Sequence, residues 1–276
     1  MEFRQRSGSS LCYACGKLNR VDARVCFYCG RRNPGLWGFG ASIGRPVGDL
    51  DFARAVIAVC VVAYVASLLL NLPAATRMRG PFGLLSPSSA ALNALGMTGA
   101  YAWAGGRWWT LLTAIYLHGG LLHLVFNLLW VRQLAPEVEA LFGRARLMVI
   151  FTAGGVLGFV VSDLAQVSFS VGASGAIFGL LGALVSYGRS RGGTFGVAIM
   201  RQYGHWALIL FVLGFLMPAV NNLAHAGGFA GGYVAGAALG SRERRPERTV
   251  DGLLGAAMLV LTIVSFALAL WSAFMP

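Results

Sequence analysis

The chain has 276 residues, of which 57% are hydrophobic and only 12% are charged. Soluble domains are about a quarter charged, so this balance excludes an ordinary soluble protein and predicts a membrane protein. The net charge of +12 does not indicate a nucleic-acid partner. The basic residues lie in short tracts between apolar runs, which is the pattern that membrane topology produces.

The first 34 residues form a polar module that contains two CxxC pairs. Four of the chain's five cysteines follow the spacing Cys12-x2-Cys15-x10-Cys26-x2-Cys29, and a glycine follows each pair. Four thiolates suit a tetrahedral Zn²⁺, and four protein ligands leave no open position for catalysis. The module resembles a β-rich zinc ribbon, so the sequence predicts a structural zinc over 1–34. Iron in a rubredoxin-like site is the main alternative, and disulfides would need an oxidising compartment.

Seven apolar runs follow a glycine-rich linker at 35–50. Each nears the roughly 20 residues that cross about 30 Å of hydrocarbon. The runs cover about 52–72, 109–133, 146–166, 171–188, 205–221, 222–241 and 251–275. The sequence therefore predicts an all-α membrane protein. A six-helix core occupies 51–241, and a loop and seventh helix occupy 242–276.

The segment 73–108, between the first two runs, carries too few charges for a solvated loop. We expect short amphipathic pieces in the outer membrane interface, anchored by Trp103, Trp108 and Trp109.

The basic residues also orient the spans. With the N-terminus inside, only Arg77, Arg79 and Arg107 of the 22 Lys and Arg residues fall in outside segments, and the other 19 (22 minus 3) fall inside. Basic residues concentrate in cytoplasmic loops. We therefore expect a cytoplasmic N-terminus and cytoplasmic cysteine module, in a multi-pass protein of a bacterial inner (plasma) membrane.

Four polar residues inside the apolar spans are candidates for function, because such residues are costly in a membrane. Ser174 and His225 lie near the starts of the fourth and sixth runs, and His123 and Asn127 lie in the second. These three runs begin at the same outer face. We therefore expect all four side chains in the outer half of the membrane, His123 and Asn127 somewhat deeper than the others.

These residue types suit acyl transfer. A serine hydroxyl needs an adjacent base, most often a histidine, and Ser174 with His225 supplies that pair. His123 and Asn127, which share a helical face, can join the Ser174 backbone N–H as donors to an oxyanion. Nothing in the sequence orients the carboxylate of Asp163 toward His225, so we predict a dyad and no catalytic cofactor.

Glycines recur every four residues in the fourth and sixth spans. Glycines at 175 and 179, and at 228, 232, 236 and 240, predict close contact between the fourth and sixth spans. In the alternative interpretation Ser174 bonds its own helix, His225 is a packing residue, and His123 and Asn127 only join helices. Coincidence of all four at one depth favours catalysis.

Three segments resemble the signatures of rhomboid intramembrane proteases, and the resemblance covers about residues 50–241. The segments are Trp109 to Asn127, Gly172 to Gly179 and Ala224 to Gly228, with Glu139 and Gly143 following the first.

The resemblance implies a role for each matched residue. Ser174 is implied as the nucleophile and His225 as the general base, with His123 and Asn127 at the oxyanion site. The implied supporting residues are Phe178 stacked on the His225 ring, the motif glycines Gly172 and Gly175, and His118 as a hydrogen-bonding structural residue.

The resemblance also has implications for the membrane segments. It implies a half-embedded first loop, a fifth span acting as a lateral gate, and a seventh span as a family variant. Thr110 stands where the family usually has arginine, which puts the anchoring of the first loop in doubt and leaves Arg107 as a substitute.

The expected function is that of an intramembrane serine endopeptidase. Its implied substrates are single-pass membrane proteins, cut within their transmembrane segments near the outer leaflet. The alternative is a catalytically silent rhomboid-like protein that binds membrane clients, although such relatives typically lack the serine or the histidine. A transporter is less consistent, because an obvious set of intramembrane carboxylates is absent.

Overall fold

The computed structural model divides the chain into two compact units, Met1–Asp51 and Phe52–Pro276. The structure describes residues 7–12, 17–30, 32–35, 51–75, 85–217, 220–240, 247 and 249–274.

The first unit is built around a short hairpin. Strand β1 (Ser9–Leu11) pairs antiparallel with β2 (Leu18–Arg20), and Ser10 lies opposite Asn19. An isolated bridge joins Val25 to Arg32. These two pairings flank Cys12 and the Cys26-to-Cys29 turn, so the backbone brings the two ends of the cysteine pattern together.

The second unit is helical. Its elements are α1 (Phe52–Leu69), α2 (Leu72–Ala75), α3 (Ser89–Ala94), α4 (Ala100–Ala104), α5 (Thr110–Thr113), the 3₁₀ turn Ala114–Tyr116, α6 (Leu121–Phe142), α7 (Arg144–Leu164), α8 (Ser174–Arg191), α9 (Gly193–Phe215), α10 (Asn222–Leu239) and α11 (Thr249–Phe274). Helices α2, α3 and α4 are short, as expected for 73–108; residues 76–84 of that segment lie outside the described residues.

Helix α8 occupies the centre of this unit and is buried along most of its length. It packs against α7, α9 and α10. The contacts are close because glycines face one another: a Cβ built on Gly154 of α7 would lie 2.7 Å from the Gly179 Cα of α8. Small residues let helix backbones approach in this way. The predicted close contact of the fourth and sixth spans is also present, because a Cβ built on Gly228 of α10 would lie 2.9 Å from the Gly175 Cα of α8.

Within the described part of the chain, four helices are long and apolar enough to cross a membrane, namely α1, α7, α9 and α11. A fifth is counted if α5 and the 3₁₀ turn are joined to α6 across a 92° bend. Helices α8 and α10 fall short of this measure. Each has 18 residues, about 27 Å at 1.5 Å per residue, and their glycines and polar residues lower their hydropathy. Those glycines contact protein rather than lipid.

Two of the expected spans have different bounds in the structure. The run 109–133 is not one helix: the chain bends at His118-Gly119-Gly120, where two glycines disfavour helix, and α6 continues to Phe142. The fifth helix runs from Gly193 to Phe215 rather than over 205–221. It begins at once after Gly192, whose φ of +64° ends α8; Pro218 lies outside the described residues.

Candidate active site

The segment Gly172-Ala173-Ser174 turns the chain into α8, which starts at Ser174. Gly172 has a φ of +126°, a conformation that L side chains rarely adopt, and a Cβ there would lie 2.7 Å from His123 Nε2. The Gly172 N–H donates to the Ala114 carbonyl at 2.9 Å. Glycine is therefore required at 172 for both backbone conformation and space, and Ser174 is presented half-buried at the helix start.

His225 is held in the first turn of α10. Its ring is 6% exposed and stacks on the Phe178 ring, with centroids 4.3 Å apart and planes 15° from parallel. His225 Nδ1 lies 3.2 Å from Asn222 Oδ1. Because an amide oxygen only accepts, Nδ1 carries the proton in this pair and Nε2 keeps its lone pair.

Backbone contact brings the starts of α8 and α10 together. A Cβ built on Gly228 would lie 2.8 Å from the carbonyl carbon and 2.9 Å from the Cα of Gly175. Gly175 follows Ser174, and Gly228 is three residues after His225. The structure therefore brings the helix ends that carry Ser174 and His225 into direct contact.

His123 and Asn127 lie in the first two turns of α6. The Gly119 N–H donates to His123 Nδ1 at 3.3 Å, so the His123 proton is on Nε2, the atom that faces Gly172. Asn127 Nδ2 donates to the His123 carbonyl at 2.8 Å, which uses one of its two hydrogens. His123 is the third residue of α6, which begins at Leu121 rather than near 109.

His118 lies in the bend before α6 and is fully buried. Its ring packs edge-on against the His123 ring, with centroids 5.1 Å apart. It thus supports the wall of the site through this ring contact.

The Asp163 carboxylate is bonded to the first-loop segment. Thr98 Oγ1 donates to Asp163 Oδ2 at 2.9 Å, and Thr110 Oγ1 donates to Thr98 Oγ1 at 3.1 Å. Arg107 binds α3 through the Asn93 side chain at 2.8 Å and the Asn93 carbonyl at 3.1 Å. Arg107 therefore contacts the first loop, and the hydrogen-bond partner of Asp163 is Thr98 of that loop.

Asn221 fixes the start of α10, and the sequence interpretation did not include it in the site. It caps α10, accepting from the Ala224 N–H at 3.1 Å. Its amide also donates to Ser162 Oγ at 2.6 Å and to Ser170 Oγ at 3.0 Å. An asparagine immediately before a helix is a capping signal, but its two serine partners lie more than 50 residues away.

A separate cysteine cluster lies in the first unit. The Sγ atoms of Cys12, Cys26 and Cys29 lie within 4.8 Å of one another, and those of Cys12 and Cys29 are 3.8 Å apart. Thiolates at about 2.3 Å from a tetrahedral metal stand about 3.8 Å apart, whereas a disulfide needs about 2.05 Å. Cys15 lies outside the described residues.

A side-chain donor reaches one sulfur of this cluster. Asn19 Nδ2 donates to Cys26 Sγ at 3.4 Å and the Gly30 N–H donates to the Cys26 carbonyl at 3.0 Å. N–H groups directed at sulfur stabilise thiolates in metal sites. The three described cysteines therefore fit a tetrahedral metal better than a disulfide.

Comparison with known proteins agrees with the helical unit. The Rhomboid domain family matches residues 105–242, half of the chain. The Bacillus subtilis "Rhomboid protease GluP" is 37% identical over 169 residues, 59% of this chain and 32% of that protein. The Arabidopsis thaliana "RHOMBOID-like protein 7" is 37% identical over 55% of this chain and 50% of that protein.

A third relative is covered more fully. The B. subtilis "Putative rhomboid protease YdcA" is 33% identical over 135 residues, 48% of this chain and 67% of that protein. The chain spans only a third to a half of the first two relatives, so the likeness concerns the membrane domain. From this match, together with several apolar helices, the chain is an integral membrane protein that belongs to the rhomboid family.

Proposed function

We propose that this protein is an intramembrane serine endopeptidase that cleaves transmembrane segments through a dyad of Ser174 and His225. The observation that carries the proposal is the contact of the α8 and α10 starts, with the His225 ring stacked on Phe178 of α8. Relatives named as rhomboid proteases support this activity at the level of the family.

In the proposed reaction, His225 Nε2 accepts the Ser174 hydroxyl proton as Oγ attacks the scissile carbonyl carbon. The protonated His225 then gives that proton to the leaving amine, and a water molecule hydrolyses the acyl-enzyme by the same exchange in reverse. Phe178 and Asn222 hold the imidazole, so no carboxylate is needed to orient it. Protonation of His225 is transient and occurs only while the tetrahedral intermediate exists.

The oxyanion is proposed to lie between α6 and the start of α8. His123 Nε2–H faces this side through Gly172, and Asn127 keeps one amide hydrogen beyond its bond to the His123 carbonyl. The backbone N–H groups of the first α8 turn have no intrahelical acceptor. Fixed donors of this kind stabilise a developing oxyanion most strongly in a site that excludes water.

The substrates are proposed to be single-pass membrane proteins cut near their outward-facing end. A stable helix hides its carbonyls in hydrogen bonds, so the scissile segment must unwind where water can satisfy the freed groups. The topology of this proposal has a cytoplasmic N-terminus in a bacterial inner membrane, with α9 as the lateral gate. A small residue before the scissile bond is inferred from the family resemblance.

The cysteine module is proposed to hold one structural Zn²⁺ through Cys12, Cys15, Cys26 and Cys29. The 3.8 Å separation of two of these sulfurs supports tetrahedral thiolate coordination. Such a metal would stabilise the fold of the module and would take no part in peptide hydrolysis.

The decisive experiment labels purified protein in detergent with a fluorophosphonate probe and assays cleavage of a model single-pass substrate. We expect labelling and cleavage in wild type, and loss of both in Ser174→Ala. His225→Ala should remove cleavage. Ser168→Ala and His205→Ala, at exposed positions, are the matched controls and should behave as wild type.

A folded wild-type protein without labelling or cleavage would contradict the proposal. If it still captured a membrane client, the catalytically silent alternative would be favoured. Full cleavage by Ser174→Ala or by His225→Ala would exclude the dyad.

A further inference from the structure

The last helix, α11, is attached to the beginning of α7. Asp251 pairs with Arg146 at 2.6 Å, and both side chains are buried. Glu247 Oε1, just before α11, accepts from the Ala145 N–H at 2.6 Å. A Cβ built on Gly255 would lie 3.1 Å from the Ala145 Cα, so this end of α11 is held by charge, capping and close packing together.

Only one face of α11 contacts protein. The buried residues of the helix recur every three to four positions or multiples of that spacing, which places them in one stripe. They are Asp251, Gly255, Ser265 and Ala269, with Thr262 and Phe266 half-buried beside them. Most of the remaining positions, such as Ala267, are exposed and would face lipid.

This stripe meets the wall of the active site in the second half of α11. Tyr116, in the 3₁₀ turn before α6, is buried. The Phe266 and Tyr116 rings lie 5.8 Å apart.

Ala269 makes a second contact, with the first-loop segment. A Cβ built on Gly96 would lie 3.1 Å from the Ala269 Cβ, so these two segments of the chain are already in close contact. The Gly96 carbonyl accepts from Thr113 Oγ1 at 2.6 Å. Any displacement at Ala269 therefore reaches the turn that follows Thr113.

That turn is bonded directly to the nucleophile segment. The Ala114 carbonyl accepts the Gly172 N–H at 2.9 Å, and Tyr116 precedes the bend that carries His118 and orients His123. Two contacts thus connect α11 to the residues beside Ser174 and His123, namely Phe266 with Tyr116 and Ala114 with Gly172.

We propose that Phe266 and Ala269 of α11 are positioning residues for the active site. They hold the Ala114–Tyr116 turn, and through it they set the placement of Gly172 and His123. This inference rests on the proposed function, and it assigns the seventh helix a role in turnover in addition to stability.

The test compares the same substitution on two faces of α11. Ala269→Leu inserts volume against Gly96, whereas Ala267→Leu adds it on the exposed face. We expect Ala269→Leu to lower kcat about 10- to 100-fold with KM within about twofold, because small misplacements of catalytic groups have effects of this size. Hydrogen exchange should rise over 89–96 and 110–118 in Ala269→Leu and not in Ala267→Leu.

A second pair guards against a folding defect in Ala269→Leu. Phe266→Leu removes the ring that lies 5.8 Å from the Tyr116 ring, and Phe266→Tyr retains a ring at this position. We expect Phe266→Leu to lower kcat several-fold at an unchanged midpoint of thermal unfolding, and Phe266→Tyr to keep wild-type turnover.

The outcomes separate this inference from the proposed function. Absence of wild-type labelling and cleavage would contradict the proposed function, and the exchange measurement would still report whether α11 holds the turn. If wild type is active, equal kcat and equal exchange in the two leucine variants would overturn the positioning role. Equal kcat in Phe266→Leu and Phe266→Tyr would do the same.

Discussion

Replacing Gly228 by alanine tests whether backbone contact between α8 and α10 sets the catalytic geometry. The added Cβ would stand 2.8 Å from the Gly175 carbonyl carbon, whereas ordinary contacts begin at 3.4 Å. The two helices must therefore separate by at least 0.6 Å beside Ser174. The atoms that the new Cβ would meet belong to the backbone of Gly175, directly after the nucleophile. No flexible side chain can therefore move aside instead.

The expected effect on activity is much larger than that on stability. Overpacking costs about 1–3 kcal/mol, partly offset because alanine favours a helix over glycine by about 1 kcal/mol. A displacement approaching 1 Å at the reacting groups lowers turnover by about 10²-fold. We therefore expect Gly228→Ala to remain folded and to lose about two orders of magnitude in kcat.

The assay measures turnover of a model membrane substrate and thermal unfolding in the same detergent. Gly252→Ala is the matched control, because a Cβ there meets nothing within 4 Å and the helix propensity change is the same. Wild-type turnover in folded Gly228→Ala would refute the reasoning. An equal loss in Gly252→Ala would show that the effect is not due to helix contact.

Three further predictions concern the oxyanion site, the metal and the last helix. Asn127→Ala should lower turnover by about 10²–10³, the usual effect of losing one oxyanion donor; unchanged turnover with lower thermal stability would make Asn127 structural. Purified protein should contain about one zinc per chain by elemental analysis, and Cys12→Ser with Cys15→Ser should release it without removing cleavage; iron would favour the rubredoxin-like alternative. Asp251→Ala should destabilise the fold by about 3–5 kcal/mol because it removes the carboxylate that pairs with the buried charge of Arg146, whereas the double variant Arg146→Met with Asp251→Leu should recover much of that loss; equal unfolding midpoints for the single variant and wild type would contradict this.

The residue pattern predicted the membrane class and the glycine contacts for local reasons. The length of the apolar runs and the distribution of the basic residues indicate a membrane without knowledge of which residues contact one another in the fold. A run of glycines such as 228 and 232 indicates close packing whichever helix it meets. The pairing of Ser174 with His225 remains a prediction about chemistry, although the structure brings their helix ends together.

Other features depended on partners far away in the chain. Residues on both sides of His118 are mainly apolar, so hydropathy alone did not reveal the bend that shifts α6 to Leu121–Phe142, although the glycines at 119 and 120 mark it locally. Asp163 bonds Thr98 across 65 residues, and no local pattern distinguishes that partner from His225.

By itself, then, the sequence determined that the chain resides in a membrane, which residues are chemically capable of acyl transfer, and which thiolates suit a metal. Only the tertiary structure decided that Asn221 ties α10 to Ser162 and that the last helix contacts Tyr116. The physical reason is that hydropathy and residue chemistry belong to single residues or short segments. Side-chain partners across helices follow from packing, which arises only when the whole bundle has assembled.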